Sequence, residues 1–233
     1  VDVDGLRVGV LICEDAWFEE PAVAAVAAGA QLLCVLNASP FHLDKAGERE
    51  ERMAQRARAV GLPLLYAHLV GGQDEVVFDG ASFAVDARGD ITARAPAFEP
   101  ALLMLDLSTD GTASGDIAPV PELEAQAWQA LVIGVRDYLG KNGFPGALIG
   151  LSGGVDSALV LALAVDAIGA DKVRTVMMPS TYTADISWID AREMAANLGV
   201  RYDEIAIEPM FQAFRGALAP QFEGRAEDTT EEN

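Results

Sequence analysis

The chain has 233 residues, of which 51% are hydrophobic, and it carries a formal net charge of −20 at pH 7. A length of this order suits one large domain or two modest ones, and the apolar fraction is enough to bury a core. The acidic balance argues against binding to the phosphate backbone of nucleic acids, because that affinity depends on clustered Lys and Arg.

The composition also argues against several kinds of site and location. Only two cysteines, Cys13 and Cys34, argue against a disulfide scaffold, and only two histidines, His42 and His68, argue against a zinc site. No apolar stretch of the sequence is long enough to cross a bilayer, and the first four residues lack the basic start of a signal peptide. We therefore predict a cytoplasmic protein with no membrane and no nucleic-acid partner.

The first half of the sequence predicts alternating strands and helices followed by several strands. Two helices are predicted at residues 22–28 and 48–60, each ended by a glycine. Apolar runs predict strands at residues 7–12, 31–36, 63–69, 81–85, 91–95 and 101–107, with a turn at residues 86–90.

Cys13 is the main candidate for chemistry in this half. It ends an apolar run and is followed at once by Glu14, Asp15 and Trp17. A free thiol has a pKa of about 8.5, so it needs a cationic neighbour or a base before it becomes a useful nucleophile. No lysine is visible nearby, and from spacing alone a buried structural cysteine is the better interpretation. Cys34, in the middle of a predicted strand, is interpreted as core.

The second half predicts a helix and then a regular alternation of strands and helices. Residues 108–121, rich in Ser, Thr, Gly and Pro, indicate a linker, and Pro121 suits the first turn of a helix whose apolar spacing continues to Leu139. Strands are predicted at residues 147–151, 173–178 and 202–207, and helices at 158–168 and 188–198. This alternation predicts a parallel sheet with helices on both faces and with ligands at the carboxyl ends of its strands.

The run Ser152-Gly153-Gly154-Val155-Asp156-Ser157 lies at such a strand end. Its glycines let main-chain N–H groups face an anion, and the following helix adds unpaired N–H donors and the positive end of its dipole. The run lacks the lysine of a Walker A loop and the spacing of a dinucleotide fingerprint. It predicts a phosphate-binding turn, with a βα turn that binds nothing as the alternative.

Four segments carry a family resemblance. Residues 152–157, SGGVDS, resemble the PP-loop of the ATP pyrophosphatase superfamily. Residues 8–17, VGVLICEDAW, resemble the nucleophile segment of the nitrilase superfamily. Residues 37–42 resemble the strand end at its substrate pocket, and residues 71–82 resemble a later segment of the family. Nitrilase-type segments followed along the chain by a PP-loop resemble the family of glutamine-dependent NAD⁺ synthetases, and the resemblance covers nearly the whole chain.

The resemblance implies an α/β fold in two parts. Residues 1–108 would form the C-terminal part of a nitrilase-like α-β-β-α sandwich with glutamine amidohydrolase activity. Residues 109–121 would form a linker, and residues 122–233 the first part of a Rossmann-like, parallel-sheet PP-loop ATPase domain.

The resemblance also implies the chemistry and its residues. Cys13 would attack the side-chain amide of glutamine, and the ammonia released would pass through a tunnel and amidate deamido-NAD⁺ after ATP has adenylated it. Ser39, Phe41 and Glu75 would bind glutamine, although a turn serine, a core aromatic and a surface acid are equally good interpretations of them. Asp156 would hold Mg²⁺. The implied ATP-binding residues are Gly150, Ser152, Gly153, Gly154, Val155, Ser157, Met178, Ser180 and Tyr182.

The implied partners are glutamine, ATP with Mg²⁺, and deamido-NAD⁺, with no tightly bound organic cofactor and with a homo-oligomeric full-length protein. The lysine and glutamate of the family's triad precede the cysteine in sequence, and the family continues after a segment like residues 231–233 with further nucleotide, metal and substrate-binding segments. We therefore expect a fragment truncated at both ends and inactive alone. The acidic segment 223–233 is interpreted as a solvated end rather than a loop over the site.

Two alternatives stay open at this stage. One is another amidating or thiolating PP-loop ATPase, such as a GMP synthetase or a tRNA-modifying enzyme. The other is a non-catalytic assembly subunit that kept the fold and lost the chemistry.

Overall fold

The computed structural model describes residues 1–43, 45–108 and 112–222. Its contacts divide the chain into two compact units, Val1–Asn142 and Gly143–Asn233, each with its own apolar core. The acidic segment 223–233 lies outside the described residues. In the described part of the chain, no helix is both long and apolar enough to span a membrane.

The first unit is built on a six-stranded sheet of order β1-β2-β3-β4-β7-β8. The three strands β2, β3 and β4 run parallel, and the others pair antiparallel. A separate hairpin, β5–β6, and a short pair, β9–β10, complete the strands. The strands are β1 Asp2–Val3, β2 Leu6–Ile12, β3 Leu32–Asn37, β4 Leu64–His68, β5 Val70–Gln73, β6 Val76–Asp79, β7 Phe83–Val85, β8 Ile91–Arg94, β9 Asp106–Leu107 and β10 Ala113–Ser114.

Three helices belong to this unit: α1 Glu19–Ala27, α2 Lys45–Val60 and α3 Leu123–Lys141. Side chains of α1 and α2 share one core with the central strands, including the fully buried Leu33, Val35, Met53 and Leu64. The mixed α/β character and the strand-helix alternation predicted from the sequence are confirmed.

Helix α3 packs on the β5–β6 hairpin. Gly72 N donates to Asp137 Oδ2 at 2.8 Å, and Lys141 Nζ donates to Gly72 O. A Cβ atom on Gly72 would lie 3.1 Å from the Cα atom of Gly134, so helix and hairpin approach closely because both residues lack side chains. The buried Ile133 joins a second apolar cluster with residues of the hairpin. By its packing, α3 is part of the first unit.

The second unit contains a parallel sheet whose strand order follows the chain: β11 Ala147–Gly150, β12 Val173–Met177 and β13 Arg201–Glu204. Helices α4 Val155–Ile168 and α5 Asp185–Leu198 connect these strands, and α6 Glu208–Leu218 follows. Leu151, Leu161 and Ala191 are central to the core that α4 and α5 share with the sheet.

Two predictions need correction within the described residues. The crossover helices α4 and α5 pack together on one face of the sheet rather than on both, because strands added in chain order with crossovers of one hand place both helices on the same side. The predicted strand 101–107 forms only at its end, since Leu102 and Met104 are exposed and pair with no strand.

Candidate thiol and phosphate sites

Cys13 stands where β2 ends and the chain turns into a 3₁₀ segment, Cys13–Trp17. Its φ is +50°, a left-handed conformation that costs a non-glycine residue roughly 1 to 3 kcal/mol. Ile12 N donates to Asp15 Oδ2 at 3.0 Å and closes the turn. The thiol is half-buried. A strained backbone that presents a half-buried thiol at a strand end is typical of a functional turn.

Helix α2 holds this turn from the other side. Arg56 Nη2 donates to Trp17 O at 3.2 Å, and the guanidinium of Arg52 lies 5.1 Å from the centre of the Trp17 ring. Hydrogen bonding and a cation–π contact therefore fix the far end of the segment that begins with Cys13.

The parallel register brings other polar residues to the same edge. Ile12 pairs with Leu36, and Asn37 pairs with His68, so the carboxyl ends of β2, β3 and β4 are level with Cys13. Tyr66 lies two residues before His68 on β4, so both side chains are on the same face of the sheet. Burial raises the pKa of its hydroxyl well above the ordinary value, and the nearby Cys13 adds to the shift. The register therefore places Cys13 at the same end of the sheet as the aromatic residues of β4.

A buried charged cluster lies next to this edge. Arg49 forms a bidentate ion pair with Asp79, and its Nη1 lies 2.9 Å from Nε2 of His68. Burial, together with the positive charge of Arg49, lowers the pKa of His68 to about 4 against the opposing effect of Asp79. The imidazole is therefore neutral at pH 7, and its Nε2 lies 3.1 Å from the main-chain oxygen of Ser39.

The predicted glutamine-binding residues have different surroundings. Ser39 follows β3, and its main chain contacts His68 at the edge that carries Cys13. Phe41 packs edge-on against Phe98 at 5.3 Å in the cluster under α3, which agrees with the core-aromatic interpretation. Glu75 is exposed in the turn between β5 and β6, and no ion pair of Glu75 is present in the part of the chain that the structure describes. The structure brings Ser39 to the thiol edge and leaves the roles of Phe41 and Glu75 as predictions.

Sequence reasoning missed Tyr66, His68, Arg49 and Asp79, and it gave Asn37 no role of its own within the segment 37–42. One signal was available for Arg49, which precedes Met53 by four residues and Ala57 by eight. Helical spacing therefore places this charge on the buried face of α2. A charge on a buried face needs a partner, although the sequence does not say which one.

The glycine-rich run forms a compact turn between β11 and α4. Ser152 N donates to Ser157 Oγ at 3.2 Å, Gly154 N donates to Ser152 Oγ at 3.2 Å, and Ser157 Oγ donates to Gly154 O at 2.9 Å. Helix α4 begins at Val155 with Gly154 as its N-cap and without a side-chain cap. The N–H groups of its first turn are therefore available to an anion.

Gly153 fits this turn for two reasons. Its φ is +81°, and a Cβ atom at this position would lie 2.3 Å from the main-chain oxygen of Ser187 in α5. The turn and α5 line an open cleft of about 410 Å³, to which α5 contributes Asp190, Glu193 and Asn197. These three residues were not predicted from the sequence.

The other predicted nucleotide residues lie on neighbouring elements. A Cβ atom on Gly150 would be 3.5 Å from Cε of Met178, so the ends of β11 and β12 are adjacent. Ser180 Oγ accepts from Tyr182 N at 3.2 Å in the turn after β12, and the Tyr182 ring is 61% exposed. Asp156 is exposed in the first turn of α4. Within the described ranges no group of three or more His, Cys, Asp or Glu side chains could hold a metal ion.

Comparison with known proteins covers both units. Residues 1–115 match the family model of the carbon-nitrogen hydrolases, and residues 127–233 match that of NAD synthase. The chain is 48% identical over 235 residues to the glutamine-dependent NAD(+) synthetase of Xylella fastidiosa (strain 9a5c), covering 99% of the chain and 43% of the relative. It is 45% identical over 232 residues to that of Rhodobacter capsulatus, covering 98% of the chain and 42% of the relative.

A solved structure is similar over the full length of the chain. The glutamine-dependent NAD+ synthetase from Acinetobacter baumannii in complex with ADP superposes with a TM-score of 0.93 at 40% identity, covering 100% of this chain and 44% of that one. The chain therefore spans less than half the length of the relatives it matches.

Proposed function

The chain belongs to the family of glutamine-dependent NAD⁺ synthetases, and we propose that it carries parts of both reaction centres of such an enzyme. In this proposal, the first unit takes ammonia from the side-chain amide of glutamine. The second unit binds ATP for the amidation of deamido-NAD⁺.

The first reaction is a thiol-dependent amide cleavage. The Cys13 sulfur attacks the side-chain carbonyl carbon of glutamine, the C–N bond breaks, and the amide nitrogen takes the proton that the thiol gives up and leaves as ammonia. Water then hydrolyses the thioester to glutamate and frees the thiol. The left-handed turn at Cys13, held by Asp15 and by Arg56, supports this role because it presents the sulfur in a fixed position. A base or a cation must still activate the thiol.

The second reaction activates a carboxylate. An oxygen of the nicotinate carboxylate attacks the α-phosphorus of ATP and pyrophosphate leaves, and ammonia then attacks the acyl carbon and displaces AMP. The unpaired N–H groups at the start of α4 and the turn at Ser152–Ser157 favour binding of the phosphate chain. The ADP named for the Acinetobacter baumannii structure supports an adenine nucleotide as the ligand.

A magnesium ion fits this turn on the chemistry of its donors. Mg²⁺ is commonly held by one or two carboxylates together with substrate phosphates and waters, so the single exposed carboxylate of Asp156 is sufficient on the protein side. When bound, the ion would offset negative charge on the pyrophosphate that leaves. The homo-oligomeric state, the cytoplasmic location and deamido-NAD⁺ as the acceptor remain part of this proposal.

The observation that carries the proposal is the position of Cys13 at the end of β2, and its test is a pair of cysteine variants. Because the chain spans less than half of its relatives, the assay uses a protein of the relatives' length that carries this sequence. Cys13→Ala should lower glutamine-dependent NAD⁺ formation by about a thousandfold or more, since the nucleophile is lost, and should leave ammonia-dependent formation unchanged.

Cys34→Ala is the matched control for this test. Cys34 lies on the neighbouring strand, and burial raises the pKa of its thiol, so this variant should keep both activities. Asp156→Ala should reduce synthesis from either nitrogen source. Loss of both activities in Cys13→Ala, or of neither, would contradict the assigned role. Absence of any turnover in the unmodified protein would favour the non-catalytic subunit.

A further inference from the structure

Buried polar atoms that have no partner are concentrated beside Cys13. Among the described residues, four buried side-chain atoms lack a hydrogen-bond partner: Asn37 Oδ1, Asn37 Nδ2, Tyr66 Oη and Thr92 Oγ1. Most buried polar groups in proteins are paired, so each exception needs an explanation. Three of these four atoms belong to residues near the thiol.

Asn37 lies level with Cys13 on the adjacent strand. It is the last residue of β3, and the residue before it, Leu36, pairs with Ile12, the residue before Cys13. Neighbouring strands are about 4.8 Å apart, which places the two residues side by side at the sheet edge.

The Asn37 side chain lies on the same face as the core. Side chains alternate along β3, so Asn37 shares a face with Val35, which pairs with Tyr66 and is part of the apolar core.

The carboxamide of Asn37 forms no hydrogen bond with any described residue. Its side chain is only 7% exposed, yet neither its donor nor its acceptor is bonded. Burying a polar group without a hydrogen bond is unfavourable, so this residue weakens the free protein unless another group pairs with it. A ligand that reaches Cys13 would be such a group.

We propose that Asn37 is a substrate-binding residue that pairs with the side-chain amide of glutamine in the thiol site. Asn37 Nδ2 donates to the side-chain carbonyl oxygen of glutamine, and Asn37 Oδ1 accepts from the NH₂ group of the same side-chain amide. These two hydrogen bonds are complementary, because each primary amide carries one acceptor and one donor group. The inference rests on the proposed function, in which Cys13 attacks this amide.

The pairing also distinguishes substrate from product. Glutamate, the product, presents a carboxylate with no N–H group, so its second oxygen would face Asn37 Oδ1 without a proton between them. A site built for an amide rejects a ligand that leaves its buried groups unpaired. Asn37 therefore favours glutamine over glutamate and promotes product release.

The test compares Asn37→Leu with Thr92→Val in a protein of the relatives' length that carries this sequence. Both variants replace a buried polar side chain that lacks a partner with an apolar one of similar shape. Asn37→Leu should raise KM for glutamine at least about tenfold and leave ammonia-dependent synthesis unchanged. Thr92 lies on β8, away from the thiol edge, so Thr92→Val should leave KM unchanged.

A binding measurement separates this inference from the proposed function. Alkylation of Cys13 by iodoacetamide is followed with glutamine or glutamate as the protecting ligand. In the unmodified protein glutamine should protect at lower concentration than glutamate, and in Asn37→Leu this preference should disappear. Asn37→Asp, which keeps the shape, replaces Asn37→Leu if the latter does not fold, and it should lose the same preference.

The outcomes are distinguishable. If Asn37→Leu keeps the KM for glutamine and the preference of the unmodified protein, the inference is wrong while the role of Cys13 stands. If the unmodified protein uses ammonia but not glutamine, the proposed function itself fails. A lower melting temperature with unchanged KM would assign Asn37 to the fold alone and would also overturn the inference.

Discussion

His68 lies between the guanidinium of Arg49 and the main-chain oxygen of Ser39, inside the sheet edge that carries Cys13. A protonated imidazole at this position would face the Arg49 charge across 2.9 Å with little water to screen it. Burial and this cation together lower the pKa of His68 to about 4. The folded cluster therefore requires the imidazole of His68 to be neutral.

This pKa predicts an acid-sensitive first unit. An unfolded histidine titrates near 6.5, so between about pH 6.5 and pH 4 the unfolded chain binds a proton at His68 that the folded chain excludes. The contribution of the neutral His68 ring to the stability of the first unit is present above pH 6.5 and is lost as the pH falls towards 4. The melting temperature of the first unit should drop over this interval, and His68→Gln should flatten the drop.

His42 provides the control for this pH dependence, because it is the other histidine of the chain and is exposed. His42→Gln should leave the profile unchanged. An equal slope in His68→Gln and in the unmodified chain would contradict the assignment, and differential scanning fluorimetry at fixed ionic strength would measure both.

At the residue scale, the sequence predicted what depends on neighbours in the chain. Cys13 was found because an apolar run ends in a polar turn, and its location at a strand end is confirmed. Tyr66 and His68 were missed, and Asn37 was given no role of its own, because their importance arises from register between strands, which no local pattern contains. The partner of Arg49 lies 30 residues away at Asp79.

The glycine-rich turn shows how one element depends on another. Its local shape was predictable from the strand, the two glycines and the helix that follows. Its packing against α5 was not, because Ser187 is distant in sequence from the loop. The same limit explains why the β5–β6 hairpin was missed: Gly71 and Gly72 favour a loop locally, and contact with α3 stabilises them as a strand.

Replacing the two glycines of this turn with alanine should affect the stability of the second unit to very different extents. Gly153→Ala would bring a Cβ atom within 2.3 Å of Ser187 O in a left-handed conformation, so we expect a loss of about 2 kcal/mol or more in the stability of the second unit. Gly154 has φ −87°, and its nearest neighbour, Ser152 Oγ, would be 3.4 Å away. Gly154→Ala should change stability by about 0.5 kcal/mol or less.

Urea unfolding monitored in the second unit tests this pair of variants. Equal losses for Gly153→Ala and Gly154→Ala would show that the contact with α5 does not determine the turn. Binding of ATP, measured by calorimetry, should weaken in Gly153→Ala at least about tenfold, because the clash with α5 displaces the phosphate donors of the turn.

At the scale of the whole molecule, sequence similarity and packing divide the chain at different places. The NAD synthase family model begins at residue 127 and so includes most of α3. The contacts of α3 instead place it in Val1–Asn142. The domain boundaries predicted from the sequence, with residues 109–121 as a linker, follow the similarity and remain a prediction. Described residues of that linker run beside β8, where Arg94 N donates to Asp116 O at 2.9 Å.

The two divisions predict different consequences for a cavity made in α3. Ile133 is 2% exposed and packs with Phe98 and Val77, which both belong to the first unit. Replacing it with alanine removes buried methyl and methylene groups, so Ile133→Ala should destabilise that unit by about 2 to 4 kcal/mol. Leu131, on the same helix, is 55% exposed, and Leu131→Ala should cost about 0.5 kcal/mol or less.

Hydrogen exchange followed by mass spectrometry locates the effect of Ile133→Ala. Main-chain N–H groups of the β5–β6 hairpin should lose protection, because this strand pair is held to α3 by Asp137, Lys141 and the Ile133 cluster. Those of β11 and β12 should exchange as in the unmodified chain, since their core contains no residue of α3. Faster exchange in β11 and β12 with an unchanged hairpin would assign the helix to the second unit and would contradict the division found from packing.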